Sequence, residues 1–485
     1  MNASEVMTLP QLMPLMPEIF LLCAACTLLL IDLWISDSRR GLTHFFSIAI
    51  MAATAALLVR TPDHVDRVAM GGMFLRDQVA DLLKLFILAV SAGAVIYAKP
   101  YLRMRGLFRG EFHVLVLFAV LGMMILVSAG NLLTIYLGLE LLALSSYALV
   151  AMDRDSKLSS EAAMKYFVLG ALASGMLLYG MSMIYGATGT LDIASVQSAI
   201  GSLGDNRGIM LMGVVFMLVG ISFKFGAAPF HMWLPDVYQG APTAITLFIG
   251  SAPKIAAFGM AYRLLSGIAG GVEADWQPIL AWLAVASLAI GNVVAIAQTN
   301  LKRMLAYSTI SHVGFLFLGL SNGTPAGFSA AMFYAVSYAL MSAGAFAAII
   351  MLARQGFEAE EISDYAGLAK TQPSLAGLIL LIMGSLAGLP PLLGFWAKVA
   401  VIKAALDASL LWLAITAVVF AVVGAFYYIR VIKVMFFDKP AEATPAGLLG
   451  DFQARWLFGF NAGLMLVLGL FSGPLLSWCE RAMGV

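Results

Sequence analysis

Apolar runs of about 20 residues recur from Ile19 to Trp478 with short polar stretches between them, and each is long enough to cross about 30 Å of hydrocarbon as a helix. About fourteen such runs are expected to be helical, over 15–36, 41–59, 78–98, 112–129, 131–150, 161–186, 208–237, 241–264, 277–297, 302–320, 327–353, 373–404, 409–436 and 454–478. Lipid offers no partner to a backbone N–H or C=O, so a spanning chain is either helical or a closed barrel. Unbroken apolar runs exclude the alternating pattern of a barrel. Only 11% of the residues are charged, against about 25% in a soluble domain. The expected fold is therefore an all-α integral membrane protein. Its short connections leave no room for an extramembrane catalytic domain.

Two runs carry an interruption. The seventh contains Gly226 and Pro229, and the twelfth contains Gly388-Leu389-Pro390-Pro391. Proline removes a backbone donor and clashes with the preceding turn, so each is a candidate broken helix, tolerated only where it is buried in protein or lines a wet cavity. The breaks fall five runs apart. Matching positions in two five-helix units would account for that spacing, and because five is odd the second unit must be inverted, an arrangement associated with transport sites. The expected division is 1–111 for three leading helices, 112–264 and 277–436 for the two repeats, and 437–485 for a loop and final helix. With both termini outside, about sixteen loop lysines and arginines fall on the inner side and about seven, Arg67 among them, on the outer side.

Charged residues inside these runs are the strongest functional signal. Glu140 lies in run five, Lys224 just before the first break, Lys254 in run eight and Lys398 just after the second break. A central charge costs about 2.5–3.5 kcal/mol on insertion scales, so each needs a partner, water or a function. Burial makes an ammonium give up its proton more readily, and a nearby carboxylate opposes that, so a Glu–Lys pair can hold or release a proton as it closes or opens. Both lysines at the breaks are expected on the outer side of their breaks, with Lys254 between them. Lys302, Lys165, His231 and His312 are further candidates, the histidines because imidazole titrates near neutral pH. Lys84 also lies within a run, without an assigned role.

Other chemistry has little support. Cys23 and Cys26 form a C-x-x-C inside the first run and read as two small side chains buried among apolar neighbours. No His/Cys cluster has metal-ligand spacing, no Gly-rich loop follows a strand, and no basic-aromatic cluster suggests nucleic acid. No site for a flavin, quinone, haem or nucleotide is evident. Met1 to Glu18 has no positive region ahead of its apolar stretch, so a cleaved signal peptide is not expected.

Three segments carry a resemblance: Phe223-Lys-Phe-Gly-Ala-Ala-Pro-Phe-His-Met-Trp-Leu-Pro-Asp-Val-Tyr-Gln-Gly-Ala-Pro-Thr243, Gln298-Thr-Asn-Leu-Lys-Arg-Met-Leu-Ala-Tyr-Ser-Thr-Ile-Ser-His-Val-Gly314 and Ser385-Leu-Ala-Gly-Leu-Pro-Pro-Leu-Leu-Gly-Phe-Trp-Ala-Lys398. Together they resemble the antiporter-like membrane subunits of respiratory complex I and of multisubunit sodium/proton antiporters. Asp236-Val-Tyr-Gln-Gly-Ala-Pro242, the lysine at 398 where the M branch has glutamate, and the lack of the long lateral helix of the L branch bring the chain nearest to the N branch. Pro391 departs from the family by doubling the usual proline. The resemblance implies that Glu140 and Lys224 are the first-repeat pair, Lys254 the connecting lysine and Lys398 the second-repeat lysine. Lys302 and Lys165 match family positions of less certain role. It also implies proton movement coupled to quinone reduction in a bacterial cell membrane. No cofactor is expected in this chain, since NADH, FMN, iron–sulfur clusters and quinone belong to partner subunits. The implied partners are the M and K subunits, the peripheral redox arm and membrane lipids. An ion exchanger driven by an existing gradient and a purely structural scaffold are the alternative readings.

Overall fold

The computed structural model describes residues 12–60, 68–439 and 451–485. Residues 1–11, residues 61–67, Arg67 of the charge count among them, and residues 440–450 lie outside the described residues. The fold is all-α. Helices α1 (Met16–Asp32), α2 (Gly41–Arg60), α3 (Gln78–Met104), α4 (Gly110–Val127), α5 (Leu132–Val150) and α6 (Lys157–Thr188) account for the first six runs. Short α7 (Ile193–Ala199) follows, then α8 (Arg207–Phe225), α9 (Trp233–Gly240), α10 (Thr243–Gly250) and α11 (Ala252–Tyr262). The second half holds α12 (Glu273–Ala297), α13 (Leu301–Leu320), α14 (Pro325–Leu352), short α15 (Leu368–Thr371), α16 (Pro373–Ala387), α17 (Leu393–Asp407) and α18 (Leu411–Phe437). Helices α19 (Phe452–Leu470) and α20 (Ser472–Ala482) close the chain.

Local chemistry sets many of these boundaries. Side chains of Asp77, Asn131, Asn300 and Thr324 accept hydrogen bonds from first-turn N–H groups at the starts of α3, α5, α13 and α14, satisfying donors that a helix leaves open. Among the described residues eleven helical stretches are long and apolar enough to span, twelve if a bent pair at the end is one span. Helix α13 and the broken stretch at 373–407 complete the fourteen runs.

Burial separates an axis from a periphery. The most apolar window of Thr243–Ile268 is 100% buried and that of Pro325–Leu352 94%, against 33% for Gly41–Arg60, Lys157–Thr188 and Leu411–Phe437. Runs eight and eleven therefore form the core, with other helices packed around them and turned outward to hydrocarbon. Small residues allow the closest approaches, as in membrane helix pairs generally. A Cβ on Gly122 would lie 2.7 Å from Leu142 N across α4 and α5, and one on Gly291 would lie 2.5 Å from Ser311 N across α12 and α13.

Four features differ from the expectation. The seventh helix stops at Phe225 rather than running to 237, because Gly226 adopts φ +77° and ends it. Run eight is interrupted at Ser251 (φ −117°, ψ −89°), where its hydroxyl turns back onto Leu247 O at 2.7 Å and Pro253 opens the next helix. The last run bends by 79° between α19 and α20: Pro474 has no N–H for the Leu470 carbonyl, and its ring crowds that turn. Cys23 and Cys26 are exposed on the outward side of α1 rather than buried, since a peripheral helix buries only one face. A two-residue hairpin, Val68–Ala69 with Phe74–Leu75, is the small β element.

Candidate functional site

The first break is held by side chains from other helices. Past Phe225, Ala227 N–H returns to Ser222 O at 2.8 Å, and Ala228 N–H donates to Ser287 Oγ of α12 at 2.9 Å. Trp233 Nε1 donates to Phe223 O at 3.0 Å. Phe225 O accepts from Lys254 Nζ at 2.8 Å. A helix C-terminus has unsatisfied carbonyls and a partial negative charge, so an ammonium is stabilised there. Lys254 is 3% exposed and starts the helix after the Ser251 kink, which aims its side chain at the neighbouring break. Lys224 directly precedes Phe225 and is half-buried. It lines a cavity with Tyr147, Tyr166 and Trp233 that offers about 20 Å³ to the centre of a water molecule, room for about one. Glu140, on α5, has Oε1 buried and without a hydrogen-bond partner among the described residues.

The second break repeats the device within one run. Gly388 adopts φ +86° and ends α16, and Lys398 of α17 turns back to donate to Ala387 O at 2.8 Å and Leu386 O at 3.2 Å. Lys398 Nζ also lies 5.2 Å from the centre of the Phe315 ring. Phe315 is one turn from His312, which is enclosed by tyrosines: Nδ1 is 2.6 Å from Tyr334 Oη and Nε2 3.0 Å from Tyr428 Oη. Tyr338 lies beside the imidazole and donates to Thr309 Oγ1 at 2.7 Å. Lys302, at the start of α13, donates to Ala241 O at 2.8 Å, beyond the end of α9. Three buried lysines thus bind carbonyls at the ends of three helices, α8, α9 and α16. Among the described residues none of Lys224, Lys254, Lys302 and Lys398 has a carboxylate within 4.0 Å.

Residues 129–424 match a family model described as NADH:quinone oxidoreductase/Mrp antiporter, TM. The NADH-quinone oxidoreductase subunit N of Xanthomonas euvesicatoria pv. vesicatoria is 54% identical over 98% of this chain and 97% of its own length. The chain belongs to the NADH-quinone oxidoreductase subunit N family. The subunit N of Thiobacillus denitrificans is 49% identical over 99% of both chains. Among solved structures, a chain of respiratory complex I from Thermus thermophilus superposes with a TM-score of 0.81 at 33% identity, over 95% of this chain and 98% of that one. A chain of the Mrp complex from Dietzia shares the fold, with a TM-score of 0.84 at 23% identity over 99% and 97% of the two chains. This subunit N family member is thus a multi-pass, antiporter-like membrane subunit.

Within that frame, the candidates read from sequence divide into groups. Lys224 and Lys254 both flank Trp233 at the first break, and Lys398 reaches the Phe315 ring one turn from His312 near the second. Between the groups, the ring of Phe225 meets that of Phe317 edge-on with 5.4 Å between centroids. Lys165 stands apart, its side chain 42% exposed and ion-paired to Asp236 at 2.7 Å and Glu161 at 2.8 Å. Asp236 is bound in turn by Arg303 at 3.0 Å. His231 sits in the linker after the first break, with Nδ1 buried and no partner among the described residues.

Several polar residues escaped the sequence reading. The tyrosines around His312 looked like ordinary aromatic content of apolar runs. Glu18 sits at the start of run one, where a charge normally reaches the membrane surface, yet it pairs with fully buried Lys84 at 2.6 Å. Glu358 lies in a connection and binds Tyr101, Thr243 and Arg105. Only the arrival of Lys302 and Arg303 beside each other in a membrane run hinted that this end of the protein is polar.

Proposed function

We propose that this chain is the proton-translocating membrane subunit of an NADH:quinone oxidoreductase, coupling quinone reduction in partner subunits to proton transfer along an intramembrane axis of Glu140, Lys224, Lys254 and Lys398. His312 and Lys302 extend that axis, and water fills the steps too long for a direct hydrogen bond. The supporting observation is the way Lys254 and Lys398 are held. Each is buried, each is bound to a helix-terminal carbonyl, and neither is ion-paired. A carbonyl binds the ammonium without competing for its proton. Such a lysine can change protonation without leaving behind a buried, unpaired carboxylate.

In this reading residues 112–264 and 277–436 are two inverted repeats, and the axis runs across both. Closing and opening of the Glu140–Lys224 gap loads and unloads the first lysine. The Phe225–Phe317 contact is the dry step between the halves, and it must part for water to join Lys254 to His312. NADH, FMN, the iron–sulfur clusters and quinone belong to partner subunits. The neighbours are the M and K subunits and, through the assembled complex, the peripheral redox arm, in a lipid bilayer that is the bacterial cell membrane.

The test uses the assembled oxidoreductase in inside-out membrane vesicles and measures protons taken up per NADH oxidised. Lys254→Met and Lys398→Met are each expected to assemble and to lower that ratio. An unchanged ratio in both would make the chain a scaffold. Sodium/proton exchange by the chain in cells without the redox subunits would favour a gradient-driven exchanger instead.

A further inference from the structure

The turn Ala241-Pro242-Thr243 between α9 and α10 has opposite charges on its two sides. Lys302 Nζ donates to Ala241 O at 2.8 Å. Two residues on, Thr243 N–H donates to Tyr101 Oη at 3.1 Å, and the Thr243 hydroxyl donates to the carboxylate of Glu358. That same carboxylate accepts from the Tyr101 hydroxyl at 2.7 Å and is ion-paired with Arg105 at the end of α3.

Glu358 belongs to the connection between α14 and α15, and that connection is clamped onto the protein. Leu301 N–H donates to Glu360 O at 2.5 Å and Ile362 N–H to Thr299 O at 2.9 Å, so the strand leading away from Glu358 is tied to the start of the Lys302 helix. Exposure is graded along this line. The side chain of Glu358 is 20% exposed, whereas Lys302 is 3% exposed. A carboxylate that still reaches water thus stands one turn of chain away from a buried amine on the proposed axis, at the face to which the loop charges assign the cytoplasm.

We propose that Glu358 is the proton-loading carboxylate of this protein, taking protons from water at this face and delivering them to Lys302 across the Ala241-Pro242-Thr243 turn. The proposal rests on the proton-path reading above. A hydronium ion gives its proton to the Glu358 carboxylate and leaves as water. The carboxylic acid then gives that proton to the neutral Lys302 amine by way of a bridging water, which restores the carboxylate and leaves an ammonium. Arg105 stabilises the restored carboxylate, and Tyr101 and Thr243 hold its orientation.

Two substitutions separate proton carriage from a purely structural tie. Glu358→Gln keeps the length of the side chain and an oxygen that accepts from Tyr101 and Thr243, but it loses the charge that pairs Arg105 and carries no exchangeable acid. Glu358→Asp keeps the acid and is too short to hold every contact. Both are made in the full complex, and proton uptake per NADH oxidised is measured in inside-out vesicles, so reduced assembly does not mask the result. Proton loading predicts that Glu358→Gln lowers the ratio while Glu358→Asp retains most of it. A normal ratio in Glu358→Gln, or a lower ratio in Glu358→Asp than in Glu358→Gln, overturns the proposal. Lys254→Met in the same vesicles distinguishes the two failures. A lowered ratio there with a normal one in Glu358→Gln removes Glu358 alone, whereas normal ratios in both remove the proton path itself.

Discussion

Glu18 and Lys84 are each other's solvent: their charged atoms are 2.6 Å apart, and their side chains are 5% and 0% exposed. Removing one partner of such a buried pair costs about 3–5 kcal/mol, because the other is left uncompensated, whereas replacing both by neutral groups costs far less. Lys84→Met is therefore expected to reduce the amount of assembled complex recovered in detergent and its thermal stability. Adding Glu18→Gln is expected to recover much of the loss, and equal losses in the single and double variants would rule the pair out as the cause. Glu140 leads to the opposite expectation. Its Oε1 has no hydrogen-bond partner among the described residues to lose, so Glu140→Gln should leave assembly largely intact. Pumping should fall, because the amide carries neither the charge that attracts the Lys224 ammonium nor an exchangeable acid proton. Normal pumping with poor assembly would make Glu140 structural. Sequence alone revealed Glu140 because a charge in mid-run stands out, and Lys84 because it also lies within a run. It did not reveal Glu18, which occupies a run end where a charge is unremarkable until the packing buries it.

The two breaks were legible as elements because glycine and proline act on their own backbone. What holds them open was not. The N–H of Ala228 is satisfied by Ser287, which is 59 residues away on α12. Ser287→Ala leaves that buried donor unpaired, at a cost of about 1–3 kcal/mol. We expect a lower melting temperature of the extracted complex, with Ser287→Thr closer to wild type; an unchanged melting temperature in Ser287→Ala would show that the break closes without it. The close approach of α12 and α13 at Gly291 is similarly specific. Any side chain there must push Ser311 N, 2.5 Å from its Cβ, and with it the helix that carries Lys302 and His312. The kink at Ser251 was missed because serine is not a helix breaker by itself. Ser342 of α14 fixes it from outside by donating to Gly250 O at 3.0 Å.

At the scale of the molecule, the charge asymmetry of the loops predicts that the connection from Arg103 to Arg109 faces the cytoplasm. A cysteine at the exposed position Arg109 should react with a membrane-impermeant maleimide in inside-out vesicles and not in intact cells, and labelling of intact cells would reverse the orientation. From sequence by itself came the helical class, the number of apolar runs, the membrane solvent and the proline breaks, all consequences of hydropathy and backbone geometry acting within about 20 residues of chain. The tertiary structure alone decided which partners the charges meet. Lys254 reaches a carbonyl on the neighbouring broken helix, Lys398 one in its own run, and Glu358 leaves a connection to bind Tyr101 and Arg105. A long side chain takes whichever polar group the packing brings within about 3 Å. That group here lies as far away as the 257 residues between Tyr101 and Glu358, beyond the reach of any local pattern.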